Sequence, residues 1–173
     1  MPLLRLALPF ILLPGCVGVV TTTATPRPAI QPLPAAFACA ADPGRSDEEA
    51  RLLSEINRER TAAGLGPVRF SPVLALAAHG HACDTARQSH LSHTGSDGTR
   101  PGQRALRVGY DYRMVAENLG LGFHSAPQAM FYWMRSPGHR DNVLAPQVTE
   151  AALGLTVAGN GQRAWVLMLG RQR

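Results

Sequence analysis

Three polar residues stand in segments whose surroundings do not account for them. Glu117 interrupts a mostly apolar run that is typical of a strand, His93 lies in the turn-rich segment 92–98, and His139 follows a helical segment. A carboxylate inside an apolar strand is costly unless it is paired. Glu117 therefore needs a hydrogen-bond donor close by, and an imidazole is a donor that also permits chemistry.

Two histidines and a carboxylate that meet in one site can act in three ways. They can bind Zn²⁺ or a similar divalent ion and leave one coordination position open for water. They can polarise water directly, with Glu117 as general base and a histidine as its electrostatic partner. They can also form a hydrogen-bonded network that only holds the structure together. The sequence contains neither an HExxH motif nor a recognisable serine or cysteine nucleophile, so it gives no positive indication of catalysis.

The elements that must position these residues follow from hydrophobic periodicity, capping signals and turn signals. Helices that precede and interleave with a few antiparallel strands indicate the α+β class, with helices covering a sheet. The predicted elements, in chain order, are a helix from a capping box at 46–49 to Gly64, a helix from Ser71, a short helix at 102–108, a strand at 114–121, a helix capped by Ser125, and strands at 148–157 and 164–169 joined by a Gly-Asn-Gly turn.

The N-terminal segment is typical of an export signal. A single arginine precedes an apolar run at 6–13, which has the length of a signal peptide and is too short to span a membrane. The run ends in Leu-Pro-Gly-Cys, which resembles a bacterial lipoprotein processing site. We predict a signal peptide at 1–16 with lipidation of Cys16. Simple cleavage nearby and a retained anchor are the alternatives.

The rest of the chain divides into a Pro- and Thr-rich tether at 17–45 and one domain at 46–171. The chain has three cysteines, an odd number. If Cys16 carries a lipid, Cys39 and Cys83 remain, and disulfides persist in the compartments of exported proteins. We therefore expect these two cysteines to pair. Closing a loop of this length would stabilise the fold by about 4 kcal/mol in the chain-entropy model.

The charge of the chain does not indicate a nucleic-acid partner. The 173 residues carry a formal net charge of +5, and every basic residue is an arginine. These arginines are scattered along the sequence, and removal of the signal segment lowers the net charge to +4. We predict no nucleic-acid binding.

The length and composition of the chain indicate a single domain. The chain is 45% apolar, which is enough for one packed core, and its 173 residues are too few for a multi-domain enzyme.

Several other polar residues are weaker candidates. His81, on the second predicted helix, is expected to be a satisfied core histidine. His79 and Cys83 are four residues apart on that helix and could share a metal ion only if Cys83 were not in a disulfide. Three arginines recur at helical or near-helical spacing, and we interpret them first as a solvated face and second as a surface for an anionic ligand: Arg100, Arg104 and Arg107.

Five short motifs occur in a fixed order along the predicted domain. They are LSEINRER at 53–60, HACD at 81–84, SHTGSDG at 92–98, AEN at 116–118 and WMRSPGHRDN at 133–142. In this order and spacing the chain resembles the bacterial branch of the CAP superfamily (cysteine-rich secretory proteins, antigen 5 and pathogenesis-related 1 proteins), also called SCP domains. The resemblance extends over about residues 47–170, which is nearly the whole predicted domain.

The resemblance implies an α-β-α sandwich, with a small, mainly antiparallel sheet between helices and a central cleft. Members of the family commonly place two histidines and two acidic residues in that cleft. On this chain the matching positions are His93, Glu117 and His139, which become the candidate metal ligands and, if any reaction occurs, the candidate catalytic residues. Asn118, in the AEN motif, is a further candidate for ligand binding.

The second acidic position of the family is not matched here, because Arg135 or Ser136 occupies its place.

The resemblance implies a protein whose cleft binds a divalent metal such as Zn²⁺, or a small and possibly lipid-like ligand. We expect the protein in the periplasm or at the cell surface, attached to the membrane through Cys16, or secreted. One alternative is a hydrolase that cleaves peptide or cell-wall material; another is a structural envelope protein whose cleft has no function.

Overall fold

The structure, a computed structural model, describes residues 38–173, so the predicted signal segment, Cys16 and most of the predicted tether lie outside the described residues. No helix of this described part is long and apolar enough to cross a membrane. Its elements are α1 (Arg45–Ala62), β1 (Arg69–Phe70), α2 (Pro72–Gln88), α3 (Pro101–Arg107), β2 (Tyr112–Leu121), α4 (Ala126–Arg135), α5 (Pro137–Val143), β3 (Glu150–Val157) and β4 (Arg163–Gln172).

The four strands form one mixed sheet in the order β1-β3-β4-β2. The hairpin strands β3 and β4 are antiparallel, β2 is antiparallel to β4, and the two-residue β1 runs parallel to β3. With helices on both faces of the sheet, this is the predicted α+β class and the predicted α-β-α sandwich. The fold prediction is confirmed.

The central strand β4 connects the two layers of core. Side chains alternate along a strand, so its residues point to opposite faces. Trp165, Leu167 and Leu169 pack with α1 and α4, whereas Val166 and Met168 pack with α2 and α3. Both faces of the sheet are therefore buried, which explains why β4 is an almost continuous apolar run in the sequence.

Helix α2 lies unusually close to the sheet. Its inner face is rich in alanine, and Ala77, Ala78 and Ala82 are fully buried. A Cβ atom placed on Gly154 of β3 would come within 2.1 Å of the carbonyl oxygen of Ala78. Only glycine fits at that position, so α2 is fixed firmly against the sheet.

Two predicted helix caps are present. The hydroxyl of Ser71 accepts a hydrogen bond from the backbone N–H of Leu74, and the hydroxyl of Ser125 accepts one from that of Gln128. Both serines precede a proline in the first turn, the arrangement that the sequence indicated.

The capping box predicted at 46–49 is wrong. Helix α1 begins at Arg45 without a side-chain cap, because the two glutamates of the segment bind elsewhere. Glu48 accepts a hydrogen bond from the backbone N–H of Ala126 at 2.7 Å, and Glu49 accepts one from that of Leu153 at 2.9 Å. Contacts with distant segments have replaced the local cap.

The predicted disulfide between Cys39 and Cys83 is confirmed, with an S–S distance of 2.04 Å. It ties the first described residues to α2. The segment Cys39–Asp42, which we call the strap, then follows the outer edge of β3. The backbone N–H of Asp42 donates to the carbonyl of Leu155 at 2.9 Å, and the hydroxyl of Thr156 donates to the carbonyl of Ala40 at 2.7 Å. The strap therefore covers a sheet edge that would otherwise present unpaired groups.

Arg60, in the first of the five motifs, acts as a structural clamp. It is almost fully buried on α1, and burial lowers the pKa of its guanidinium. The guanidinium donates hydrogen bonds of 2.8–3.0 Å to four backbone carbonyls: those of Gly66, Val143, Ala145 and Val148. A charged group with this many partners connects the α1–β1 loop to the segment before β3.

Candidate functional site

Three separate elements bring the predicted site residues together. Glu117 lies on β2, His93 in the loop between α2 and α3, and His139 on α5. The His93 Nδ1 atom is 2.9 Å from Oε1 of Glu117. The Glu117 side chain is only 1% exposed, whereas that of His93 is 55% exposed. The pair therefore has a buried acidic end and an imidazole that solvent can reach.

Both carboxylate oxygens of Glu117 have partners. Oε1 accepts from His93, and Oε2 accepts from Nη2 of Arg104 at 2.8 Å. The Nε2 atom of His81 lies 3.8 Å from Oε1. The sequence correctly required a donor for this carboxylate, but the charged donor is Arg104. The interpretation of Arg104 as part of a solvated face is wrong, because this residue is 2% exposed.

The loop that carries His93 is held from below by two buried side chains. His81 donates through Nε2 to the carbonyl of Ser92 at 2.9 Å. Arg104 donates to the carbonyl of His93 at 3.1 Å and to that of Thr99 at 2.6 Å. Desolvation lowers the pKa of His81 and outweighs the opposing effect of the Glu117 charge. His81 is thus buried in the core as the sequence predicted, but only its Nε2 atom has a hydrogen-bond partner, and through that atom it supports the site directly.

Asp84 fixes the next part of the same loop. It is fully buried on α2, and its carboxylate accepts hydrogen bonds from both the backbone N–H and the hydroxyl of Ser96, at 2.8 and 2.6 Å. Sequence reasoning did not select Asp84. The available signal was the HACD motif, whose first and last residues are the two α2 side chains that hold the loop.

His139 is positioned by two asparagines. Asn118 on β2 donates to the carbonyl of His139 at 3.0 Å, and Asn142 on α5 donates to the side-chain oxygen of Asn118 at 2.8 Å. Burial, followed by the charge of His93, lowers the pKa of His139. We expected Asn118 to bind a ligand. It is fully buried and its amide is used within the protein, so it positions α5 instead.

Comparison with known proteins identifies the family. The model of the CAP, or cysteine-rich secretory protein, family matches residues 53–169. The chain belongs to the CAP family. Over 112 residues this CAP domain is 26% identical to YkwD of Bacillus subtilis, a match that covers 65% of this chain and 44% of that protein. The matched region thus spans less than half the length of this relative.

Several solved structures share the fold at low sequence identity. An outer surface protein from Borrelia burgdorferi superposes with a TM-score of 0.70 at 19% identity, covering 79% of this chain and all of that one. An extracellular SCP-domain protein from Bacillus anthracis gives 0.66 at 21% identity, covering 78% and 45%. The structure of NaASP2 with Zn²⁺ gives 0.56 at 15% identity, covering 79% and 85%. These likenesses show the fold alone.

Neither Arg135 nor Ser136, which stand at the second acidic position of the CAP cleft, supplies an acid there. The guanidinium of Arg135 lies 4.9 Å from the centre of the Phe131 ring, and Ser136 forms the junction between α4 and α5. In this CAP domain the acid in contact with the imidazole of His93 is Glu117.

One group of three potential metal ligands in residues 38–173 has all its donor atoms within 4.8 Å of one another: Cys39, His79 and Cys83. The two sulfur atoms of this group are bonded to each other, and a metal ion requires thiolates. This group therefore does not fit a metal ion while the disulfide is present.

The predicted trio of His93, Glu117 and His139 does not form such a compact group, since the group found among residues 38–173 contains none of them. The carboxylate of Glu117 is already engaged on both oxygens. The residues that fit a metal ion in the cleft are therefore the imidazoles of His93 and His139, and water would complete the coordination. Glu117 fits the role of a hydrogen-bond partner behind the ligand.

Proposed function

We propose that this CAP domain binds a divalent metal ion in its cleft through the imidazoles of His93 and His139. The observation that carries the proposal is an exposed imidazole anchored through its inner nitrogen to the buried carboxylate of Glu117. Metal-binding histidines usually have such a carboxylate behind them. NaASP2, a CAP protein whose fold this chain shares, has been crystallised with Zn²⁺. A small ligand could complete the coordination shell.

The geometry favours binding over hydrolysis. A general base needs a lone pair within hydrogen-bond reach of the water that it activates. Glu117 is 1% exposed and both of its oxygens accept from protein donors. A purely structural network accounts for the buried part of the site. It does not account for His93, whose side chain is more than half exposed.

Calorimetric titration of the untagged protein with Zn²⁺ tests the proposal. We expect one binding event in the wild type, and a loss of affinity in both His93→Ala and His139→Ala. His90→Ala is the matched control, because His90 is an exposed histidine outside the cleft. If the wild type does not bind Zn²⁺, or if all three variants bind it equally, the cleft is not a metal site.

We also propose that the protein is exported and anchored to the envelope through a lipid on Cys16. The Leu-Pro-Gly-Cys sequence supports this assignment. So do structural neighbours described as an outer surface protein and an extracellular protein. Cys16→Ser should move the protein from the membrane fraction to the soluble fraction. Val17→Ser is the matched control and should leave it in the membrane, whereas an unchanged distribution of Cys16→Ser would exclude the anchor.

A further inference from the structure

Arg104 is the one buried cation that contacts both Glu117 and the His93 loop in the described part of the chain. It is 2% exposed, and its side chain reaches Glu117 Oε2, the carbonyl of His93 and the carbonyl of Thr99. The guanidinium therefore binds the carboxylate that holds the His93 ring and also the backbone that carries it. No position of the family cleft, as carried over from the sequence, assigns a role to this residue.

We propose that Arg104 is the positioning residue of the cleft, and that through Glu117 it fixes the neutral ring of His93 in the Nδ1–H tautomer. A carboxylate paired with a guanidinium only accepts hydrogen bonds, so the proton between His93 and Glu117 belongs to Nδ1. The lone pair of the neutral ring is then on Nε2. The inference rests on the proposed function only where it concerns metal ions; the tautomer itself does not depend on it.

The pairing of Glu117 with Arg104 also determines which ions the cleft accepts. The negative charge of Glu117 faces a buried positive charge 2.8 Å away, so the trio offers a ligand two imidazoles and no free carboxylate. Imidazole suits Zn²⁺, Cu²⁺ and Ni²⁺, whereas Mg²⁺ and Ca²⁺ require oxygen ligands. The cleft is therefore selective for ions that prefer nitrogen and does not bind the hard cations.

Long-range ¹H–¹⁵N NMR of the metal-free full chain at about pH 8, where histidine is neutral, reads the tautomer directly. We expect the Nδ1–H form for His93 in the wild type. Arg104→Gln removes the charged donor from Glu117 and the support of the His93 and Thr99 carbonyls, so the His93 ring should lose its single orientation and its signals should broaden or show both tautomers. Arg104→Lys should retain the wild-type form because it keeps the charge. Arg113→Gln is the control: it removes an exposed arginine of the same strand as Glu117 and should change nothing.

A wild-type His93 in the Nε2–H form, or identical spectra for wild type and Arg104→Gln, would overturn the assignment. If Arg104→Gln does not fold, the wild-type spectrum still decides the tautomer, and a changed His93 form in Arg104→Lys would contradict the role given to the charge. Titrations with Zn²⁺, Mg²⁺ and Ca²⁺ test the ion class, and Arg104→Gln should weaken Zn²⁺ binding by about 10–100-fold. Mg²⁺ binding as tight as that of Zn²⁺ would contradict the ion class. The Nδ1–H tautomer without any Zn²⁺ binding would refute the proposed function and leave the role of Arg104 intact.

Discussion

The carboxylate of Asp84 binds Ser96 twice, through its backbone N–H and through its hydroxyl. Asp84 is fully buried on α2, and Ser96 lies three residues after His93 in the loop that forms one wall of the cleft. Because α2 is packed closely against the sheet, these two hydrogen bonds hold the loop that carries the exposed imidazole of His93 against the core. The loop is thus a fixed part of the domain.

Asp84→Asn should loosen this loop. An amide presents one acceptor oxygen where the carboxylate presented two, so the backbone N–H and the hydroxyl of Ser96 can no longer both donate to a charged group. Hydrogen bonds to charged groups contribute about 1.5–3 kcal/mol each, and the free energy of unfolding should fall by about that amount. Urea unfolding followed by the fluorescence of the two buried tryptophans measures the change, and Zn²⁺ affinity should fall with it.

Asp111→Asn is the matched control for this variant. Asp111 is 53% exposed and pairs with an exposed arginine at the chain terminus. Its loss should change the free energy of unfolding by less than about 0.5 kcal/mol. Equal effects of the two substitutions would mean that Asp84 does not hold the loop.

Arg60→Met should strongly destabilise the domain. Methionine fills similar space but leaves four backbone carbonyls without the donors they have in the native protein. We expect the free energy of unfolding to fall by roughly 3–5 kcal/mol. Arg58→Met, on the exposed side of the same helix, should leave the urea midpoint nearly unchanged. A small effect of Arg60→Met would show that these carbonyls find water instead.

Removal of the disulfide should cost about 4 kcal/mol, because it closes a loop between residues 44 positions apart. Cys39→Ala combined with Cys83→Ala should show this loss in urea unfolding. A thiol reductant should lower the stability of the wild type by a similar amount and leave the double variant unchanged. Unaltered stability of the wild type after complete reduction, verified by alkylation and mass measurement, would contradict the prediction.

Asp97 should make the loop sensitive to acid. Partial burial opposes its charge, but hydrogen bonds from Thr99 and Arg107 outweigh burial and lower the pKa of Asp97 from 3.8 to about 2. A folded-state pKa below the unfolded value stabilises the protein above the unfolded pKa, and the contribution disappears as pH falls towards about 2. At pH 6 the free energy of unfolding of the wild type should exceed that of Asp97→Asn by on the order of 1 kcal/mol, after allowance for solvent screening. An equal difference between the two at pH 2 and pH 6 would contradict this assignment.

Local signals were sufficient for much of the fold. Ser71 and Ser125 cap their helices with groups three residues away, and the β3–β4 hairpin follows from a turn and two flanking apolar runs. These features depend on neighbouring residues, so the sequence displays them directly. The capping box at 46–49 failed for the opposite reason: its glutamates bind segments far away in the sequence.

The support of the site was harder to predict than its exposed residues. Helical spacing placed Arg104 beside two other arginines, and nothing local distinguishes the buried one, because its partner Glu117 is on another element. Helix α5 was also missed, since Pro137 and Gly138 resemble a turn, although proline at the first position of a helix is favourable. Residue types and motifs in the sequence indicated His93, Glu117 and His139 as candidates; the groups that orient them emerge only from tertiary packing.

The strap has a mechanical consequence. Any pull on the chain upstream of Ala38 reaches Cys39 first and passes through the disulfide into α2, which lies tightly against the sheet at Gly154. The strap follows the outer edge of β3, whereas Glu117 lies on β2, at the other edge of the sheet order. Tension on an anchored molecule would therefore reach the cleft only through α2, on which His81 and Asp84, close to Cys83, hold the loop of His93.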